Sequence, residues 1–156
     1  MLEVNVPGWK SLRLEHIVFD FNGTLACDGV LLPGVEERLN RLADLLAIHV
    51  LTADTHGTVR AACRNVRGEV GITTESIGAV EKERFVWSLS APSVVAVGNG
   101  TNDHLMLAAA ALGIVILGPE GTSARALATA DIVVGSINDG LDLLLHPKRL
   151  IASLRA

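Results

Sequence analysis

The hydrophobic positions of the chain follow two alternating spacings along most of its length. Short apolar runs bounded by turn residues predict strands, and apolar residues three or four positions apart predict helices between them. The predicted strands are 2–6, 12–21, 48–52, 68–73, 93–99, 112–118 and 131–135. The predicted helices are 33–47, 55–66, 79–90, 102–111, 122–130 and 137–145, and residues 146–156 are interpreted as a tail.

The regular alternation of strands and helices predicts an α/β fold with a mainly parallel sheet and helices on both of its faces. No repeat, low-complexity tract or linker divides the chain, so residues 1–156 are predicted to form one domain. Pro7 and Gly8 form a turn within residues 1–14, which we interpret as an N-terminal strand extension.

The composition supports this fold and limits the classes of partner. Of the 156 residues, 49% are hydrophobic but only 3% are aromatic, as suits aliphatic parallel strands covered by helices. The net charge of −4 argues against a nucleic-acid partner, which would need a basic face. The longest apolar run, residues 105–118, is shorter than the roughly 20 residues that span a membrane. The N-terminus shows no signal-peptide pattern, so we expect a cytoplasmic protein with Cys27 and Cys63 reduced.

The candidate functional residues are polar side chains at the ends of predicted strands. In parallel α/β sheets, ligands bind beyond the carboxyl ends of the strands. The polar residues at those ends are Asp20, Asn22, Thr52, Asp54, Asn99, Asn102 and Asp103. Taken singly, each also fits a helix cap or a turn.

Two local motifs can be set aside. The stretch "DFNGTL" (20–25) lacks the fifth-position oxygen ligand and the sixth-position Gly of a calcium loop. The stretch "GNGTND" (98–103) has Asp103 where a dinucleotide-binding fingerprint needs its third Gly.

The polar residues together resemble the haloacid dehalogenase (HAD) superfamily of phosphohydrolases. "DFNGTL" (20–25) is similar to the family's Asp-x-Asp-x-Thr motif, and "GNGTND" (98–103) to its Gly-Asp-Gly-x-Asn-Asp motif. Thr52 resembles the strand-end Ser or Thr of the family, and Lys82 its lysine. The resemblance covers essentially the whole chain after residue 14, and the first and last motifs are specific in combination.

Further details resemble one branch of the family. Thr52-Ala53-Asp54 is similar to the Thr-Gly-Asp of P-type ATPases, and Lys82, Val86 and Leu89 follow their Lys-x-x-x-Val-x-x-Leu pattern. The resemblance is therefore to the soluble P-type ATPase-like branch, with a three-layer Rossmann-like fold. We expect no cap domain, since residues 24–52 have room for only one helix.

The resemblance implies a role for each candidate residue. Asp20 would attack phosphorus and form an aspartyl phosphate, and Lys82 would offset the negative charge. The implied substrate-binding residues are Gly23, Thr52, Ala53, Lys82 and Asn102. The implied metal is Mg²⁺, bound by Asp20, the backbone carbonyl of Asn22 and Asn99, with Asp103 fixing metal-bound water and Lys82.

Two amides depart from the family pattern. Asn22 replaces the catalytic acid that protonates the leaving group and then activates water, and Asn99 replaces a metal-binding Asp. Loss of acid–base catalysis predicts turnover lower by roughly 10²- to 10⁴-fold. The chain is thus either a slow Mg²⁺-dependent phosphatase or phosphotransferase, or a phosphate-sensing regulatory domain without turnover. His56 and His104 are candidates to face the pocket, and His56 is an alternative source of the missing proton.

The expected partner is a small phosphorylated substrate, with no nucleic acid and no membrane involved. A site without a cap is open, and the strands within residues 2–14 are apolar. These two features predict a homo-oligomer.

Overall fold

The structure, a computed structural model, describes residues 1–54 and 57–156. Its strands are β1 (Leu2–Asn5), β2 (Ser11–Leu14), β3 (His16–Asp20), β4 (Ala26–Cys27), β5 (Val30–Leu31), β6 (Ala47–Thr52), β7 (Glu69–Ile72), β8 (Val94–Gly98), β9 (Leu112–Ile116) and β10 (Ile132–Val134). Its α-helices are α1 (Val35–Leu42), α2 (Val59–Ala62), α3 (Gly78–Ser88), α4 (His104–Ala109), α5 (Ala124–Thr129), α6 (Ile137–Leu145) and α7 (Pro147–Leu154). Two 3₁₀ turns cover Ala91–Ser93 and Thr101–Asp103.

Six parallel strands form the central sheet in the order β10-β9-β8-β3-β6-β7. From β3 the chain continues through β6 and β7 on one side, and then through β8, β9 and β10 on the other. The strand order therefore reverses between β3 and β8, where open α/β sheets bind their ligands. Asp20 ends β3 and Asn99 follows β8, so this topology brings both residues to the crevice. The predicted α/β fold with a parallel sheet is confirmed.

Hydrophobic side chains cover both faces of the sheet, as in other parallel sheets. Within β3, Phe19 belongs to one buried cluster and Val18 to the other. Leu39 of α1 and Leu141 of α6 complete the first cluster, and Val86 of α3 helps complete the second. Because both faces are packed, the polar end of β3 is held rigidly at the carboxyl edge of the sheet.

Several predicted elements have wrong boundaries, and two of the differences have a clear physical reason. The strand predicted at 12–21 is two strands, because the chain leaves the β1–β2 hairpin at Glu15 to enter the central sheet. The Glu15 N–H donates to the Ser93 carbonyl at 2.9 Å. The helix predicted at 33–47 spans only Val35–Leu42, since Gly34 has a φ of 82° and Ala47 already belongs to β6.

The C-terminal and N-terminal segments pack onto the fold. Residues 146–156, interpreted as a tail, contain helix α7, and Leu150 on it is fully buried. The apolar side chains Val4, Leu12 and Leu14 of the N-terminal hairpin are buried in the chain's own core. They are thus not a free surface for a second copy, and the homo-oligomer stays a prediction that rests on the open site.

The helix predicted at 55–66 is shorter, with α2 covering Val59–Ala62, and Thr55 and His56 lie outside the described residues. In the described part of the chain, no helix combines the length and the apolar character needed to cross a membrane.

A short β4–β5 hairpin after the Asp20 turn was missed by the sequence analysis. Asp28 and Gly29 both have positive φ, 50° and 78°, as two-residue hairpin turns require. The Asp-Gly pair between apolar residues was the available signal. The Thr58 hydroxyl donates to the Gly29 carbonyl at 3.2 Å, so the hairpin contacts the segment that precedes α2.

Candidate active site

Asp20 is the last residue of β3, and its side chain is only 8% exposed. The chain turns directly after it, with Gly23 at a φ of 80° and its N–H donating to the Ala26 carbonyl at 2.8 Å. A Cβ at position 23 would lie 3.0 Å or less from three atoms of Asn99. Only glycine therefore allows this turn to approach the end of β8 so closely.

Lys82 reaches Asp20 from helix α3. Gly78, Lys82 and Val86 are four residues apart and form the buried face of that helix. The Lys82 ammonium lies 2.6 Å from an oxygen of Asp20 and 2.7 Å from an oxygen of Asp103, with Lys82 fully buried. The three residues that the sequence placed on separate elements form one buried ionic cluster.

Two carboxylates share one ammonium in this cluster, and this shifts the pKa values of Asp20 and Lys82. Burial, reinforced by the charge of Asp103, raises the pKa of Asp20 to about 7 against the opposing effect of Lys82. Burial alone would lower the pKa of Lys82, but the charges and hydrogen bonds of Asp20 and Asp103 raise it above its ordinary value. Lys82 therefore stays protonated at neutral pH, whereas Asp20 titrates close to neutral pH.

Asp103 is held by the loop that follows β8. Its Oδ2 accepts the N–H groups of Asn99 at 3.0 Å and Gly100 at 2.8 Å, while Oδ1 pairs with Lys82. Both carboxylate oxygens are thus occupied by protein donors. Asp103 therefore links Lys82 to the loop after β8, and its predicted role at a metal-bound water stays a prediction.

Thr24 joins the two strand ends, a role that the sequence analysis missed. Its hydroxyl is fully buried and lies 3.1 Å from Oδ1 of Asn99 and 3.4 Å from Oδ2 of Asp20. The Thr of the first motif was the available signal, but no spacing rule predicts its contact with Asn99.

The remaining predicted residues surround this cluster. Asp20 pairs with Leu51 in the sheet, so Thr52 lies one position further along the neighbouring strand, with its Oγ1 accepting the N–H of Asp54 at 3.0 Å. Ala53 is half-buried and Asn102 is exposed. His104 is bound to the Thr101 carbonyl at 2.6 Å, and His56 lies outside the described residues.

The oxygen atoms at this edge fit a hard cation such as Mg²⁺. Among the described side chains, Oδ2 of Asp20 has one long hydrogen bond, to Thr24 at 3.4 Å. Oδ1 of Asn22 is buried and has no hydrogen-bond partner among the described residues. Carboxylate and amide oxygens are the ligand type that Mg²⁺ accepts. In residues 1–54 and 57–156, however, no three His, Cys, Asp or Glu side chains are grouped to hold a metal, so binding would depend on amide oxygens.

A cavity of about 460 Å³ lies at the other end of the strands, away from Asp20. Lys10, Trp87 and Ala91 are among the residues that line it, together with Ala111, which directly precedes β9. It therefore lies at the amino ends of the strands and is separate from the Asp20 cluster.

Comparisons with known proteins show sequence relatives and similar folds. No protein-family model matches the chain. An uncharacterized protein of Methanocaldococcus jannaschii is 50% identical over 62 residues, which cover 40% of this chain and 67% of that protein.

Three solved structures are similar in fold. The 3-deoxy-D-manno-octulosonate 8-phosphate phosphatase of Moraxella catarrhalis, in complex with magnesium ion, phosphate ion and KDO, has a TM-score of 0.71 at 15% identity, covering 91% of this chain and 94% of its own. A phospho-aspartyl intermediate analogue of phosphoserine phosphatase has a TM-score of 0.65 at 15% identity, covering 86% and 99%. A zinc-transporting PIB-type ATPase has a TM-score of 0.63 at 25% identity, covering 79% of this chain but only 20% of the pump.

Proposed function

Because the chain has the Rossmann-like fold of the HAD superfamily phosphatases, we propose that it is a phosphohydrolase or phosphotransferase that works through an aspartyl phosphate at Asp20. The observation that carries this proposal is the buried cluster of Asp20, Lys82 and Asp103 at the strand-order reversal. A buried ion pair is a poor source of stability, so its presence at a ligand-binding crevice favours a functional role.

The nucleophile of the proposed reaction is the Asp20 carboxylate. Lys82 holds Oδ1, so Oδ2 is the oxygen whose lone pairs are least engaged. Attack on phosphorus would form the acyl phosphate and break the bond to the leaving-group oxygen. Lys82 would then offset the charge of the phosphoryl group, while Asp103 keeps the ammonium in place.

Phosphate would be held at the ends of two neighbouring strands. The Gly23 turn follows Asp20, and Thr52 ends the adjacent strand with its hydroxyl available as a donor. Ala53 and Asn102 belong to the adjoining loops, and the proposal assigns them to substrate contacts. This arrangement suits a small phosphate ester at an open edge.

The proposal includes a divalent cation, for which Mg²⁺ is our candidate. Asp20, the backbone carbonyl of Asn22 and Asn99 would hold it. When bound, it would polarise the phosphoryl group and offset negative charge. A single available carboxylate predicts weaker affinity than two would give, and magnesium gives up its water reluctantly.

The amide at position 22 defines the expected kinetics. Asn22 has no proton to give to a leaving group and no basic oxygen to activate water, so it cannot act as a general acid or base. The aspartyl phosphate should form readily only from good leaving groups, and it should then persist. This behaviour favours phosphoryl transfer or slow hydrolysis over rapid turnover.

A second candidate is a phosphate-sensing domain without turnover. The observation that favours it is that Asn22 and Asn99 both stand where the resembling family has acids. In that case phosphate would bind at the Gly23 turn and near Lys82, and no covalent intermediate would form.

The proposal is tested by a phosphate-release screen with Mg²⁺ over many phosphate esters, with Asp20→Ala as the matched control. We expect slow release that is highest for esters with good leaving groups and absent in Asp20→Ala. Equal release by the two proteins would reject Asp20 as the nucleophile. No release combined with phosphate binding would favour the sensing domain.

A further inference from the structure

Both polar atoms of the Asn99 carboxamide form hydrogen bonds within the protein. Its Nδ2 donates to the Gly121 carbonyl at 2.8 Å, and its Oδ1 accepts the Thr24 hydroxyl at 3.1 Å. A backbone carbonyl can only accept a hydrogen bond, so the atom that faces Gly121 must be a donor. An aspartate of the same shape would place an acceptor against that carbonyl.

The bond to Gly121 belongs to a set of contacts that dock one loop, residues 118–123, which we call the site loop. The Ser123 N–H donates to the Asn99 carbonyl at 2.8 Å, and the hydroxyls of Thr101 and Ser123 are 2.6 Å apart. At the other end of the loop, a Cβ on Gly118 would lie 2.5 Å from the carbonyl oxygen of Gly23. The site loop therefore packs directly on the turn that follows the nucleophile.

We propose that Asn99 is a positioning residue whose carboxamide holds the site loop against the Gly23 turn. We call its hydrogen bond to the Gly121 carbonyl the latch. The amide at this position is then explained by the latch, independently of any metal that its oxygen could bind. The importance of the latch for catalysis rests on the function proposed above. The existence of the latch does not depend on that function.

The latch has a consequence for phosphate binding. The site loop supports the Gly23 turn, to which the proposed function assigns the phosphate. The Asn99 side chain is not hydrogen-bonded directly to the Lys82–Asp20 ion pair. Its link to Asp20 runs through the Thr24 hydroxyl, whose contact with Asp20 Oδ2 is the longer one, at 3.4 Å. Release of the latch should thus weaken phosphate binding more than it slows the attack by Asp20.

Hydrogen exchange of peptides that cover residues 117–124 tests the latch without turnover, in the presence of EDTA. Asn99→Ala removes the donor without adding charge, and Asn99→Asp removes it at nearly constant shape. Asn138→Ala is the matched control, because the Asn138 amide donates to a different backbone carbonyl, that of Pro33, at 2.9 Å.

We expect both Asn99 variants to speed exchange of the site loop by about 3- to 10-fold, the value of one hydrogen bond. Asn138→Ala should leave that loop unchanged. Wild-type exchange in Asn99→Ala would overturn the latch, and so would acceleration in Asn99→Asp alone, which would indicate charge repulsion and not a lost donor. If Asn99→Asp does not fold, Asn99→Ala decides the question.

Labelling with acetyl phosphate then separates positioning from general stabilisation. At a Mg²⁺ concentration that saturates both proteins, the acetyl phosphate concentration for half-maximal labelling should be about 3- to 10-fold higher in Asn99→Ala than in the wild type, with a smaller change in the limiting rate. An unchanged half-maximal concentration would overturn the positioning role. If the wild type is never labelled, the proposed function fails, and the exchange experiment still decides the latch.

Discussion

Lys82 and Asp20 are 62 positions apart in the chain, and their charged groups meet at 2.6 Å. The contact forms because α3 presents Lys82 on the same buried face as Val86, while β3 ends at Asp20. The pair is shielded from water on the lysine side, since Lys82 is fully buried. Its energetics therefore differ from those of a surface ion pair, which is commonly worth about 0–1 kcal/mol.

Lys82→Met should destabilise the protein strongly. The change leaves the carboxylates of Asp20 and Asp103 buried without their counterion, a loss that typically costs about 3–5 kcal/mol. Urea unfolding at pH 8 measures it. Lys148→Met, at an exposed position, is the control and should change the free energy of unfolding by less than about 0.5 kcal/mol. Equal effects of the two changes would show that the buried cluster does not exist.

Asp20→Asn should stabilise the metal-free protein at high pH. Because the pKa of Asp20 is raised from 3.8 to about 7, the folded state binds more protons than the unfolded state between these values. Stability of the wild type should therefore fall as pH rises through that window, and then stay low. Each pKa unit corresponds to about 1.4 kcal/mol.

Thermal unfolding in EDTA at pH 5 and pH 8 checks this prediction. Asn at position 20 cannot ionise, so the melting temperature of Asp20→Asn should exceed that of the wild type at pH 8. The difference should shrink at pH 5, where Asp20 is largely protonated. A wild type that is more stable than Asp20→Asn at pH 8 would contradict the raised pKa.

Asn22→Asp should raise phosphatase turnover, because it restores a general acid and base. The gain should approach roughly 10²- to 10⁴-fold for poor leaving groups and be smallest for acetyl phosphate, which needs little proton transfer. Steady-state kinetics over a series of leaving groups measures it. Both Asn-Gly pairs are prone to deamidation, so intact mass must first show that wild-type positions 22 and 99 are still amides. Equal rates in both proteins would point to another proton donor.

Leu150→Ala should cost about 2–5 kcal/mol of stability, the usual range for a buried leucine. Leu150 is fully buried on α7, a helix in the segment interpreted from sequence as a tail. Leu127→Ala, at a position 41% exposed, is the control and should cost much less. Chemical denaturation of both variants compares them, and a negligible loss for Leu150→Ala would mean that α7 is not part of the folded core.

The spacing of hydrophobic residues predicted the sheet and its helices, because this spacing differs between a buried strand and a helix with one buried face. It missed features that depend on contacts distant in sequence. Leu150 looked like part of a tail, since a short amphipathic helix such as α7 does not reveal from its own sequence that it packs on a core. Glu15 did not look like a strand break, because nothing local marks where the chain changes sheets.

The candidate site also has features that the sequence predicted and contacts that it did not. The sequence predicted that Asp20 and Asp103 would lie close together, because the carboxyl ends of parallel strands meet at one edge, and the family resemblance added Lys82. The contact of Thr24 with Asn99, and of Asn99 with Gly121, depends on how two loops pack. No spacing in the chain encodes such a contact, so the sequence indicated Asn99 as a metal ligand without its latch.

The proposed function depends most directly on a phosphoryl group attached to Asp20. Acetyl phosphate and Mg²⁺ should add one phosphoryl group to the wild type and to Asn22→Asp, which intact mass measures. The label should be on Asp20, and hydroxylamine should remove it. Asp20→Asn should gain nothing, and the label should persist longer in the wild type than in Asn22→Asp. A label that survives in Asp20→Asn, or a wild type that is never labelled, would contradict the account.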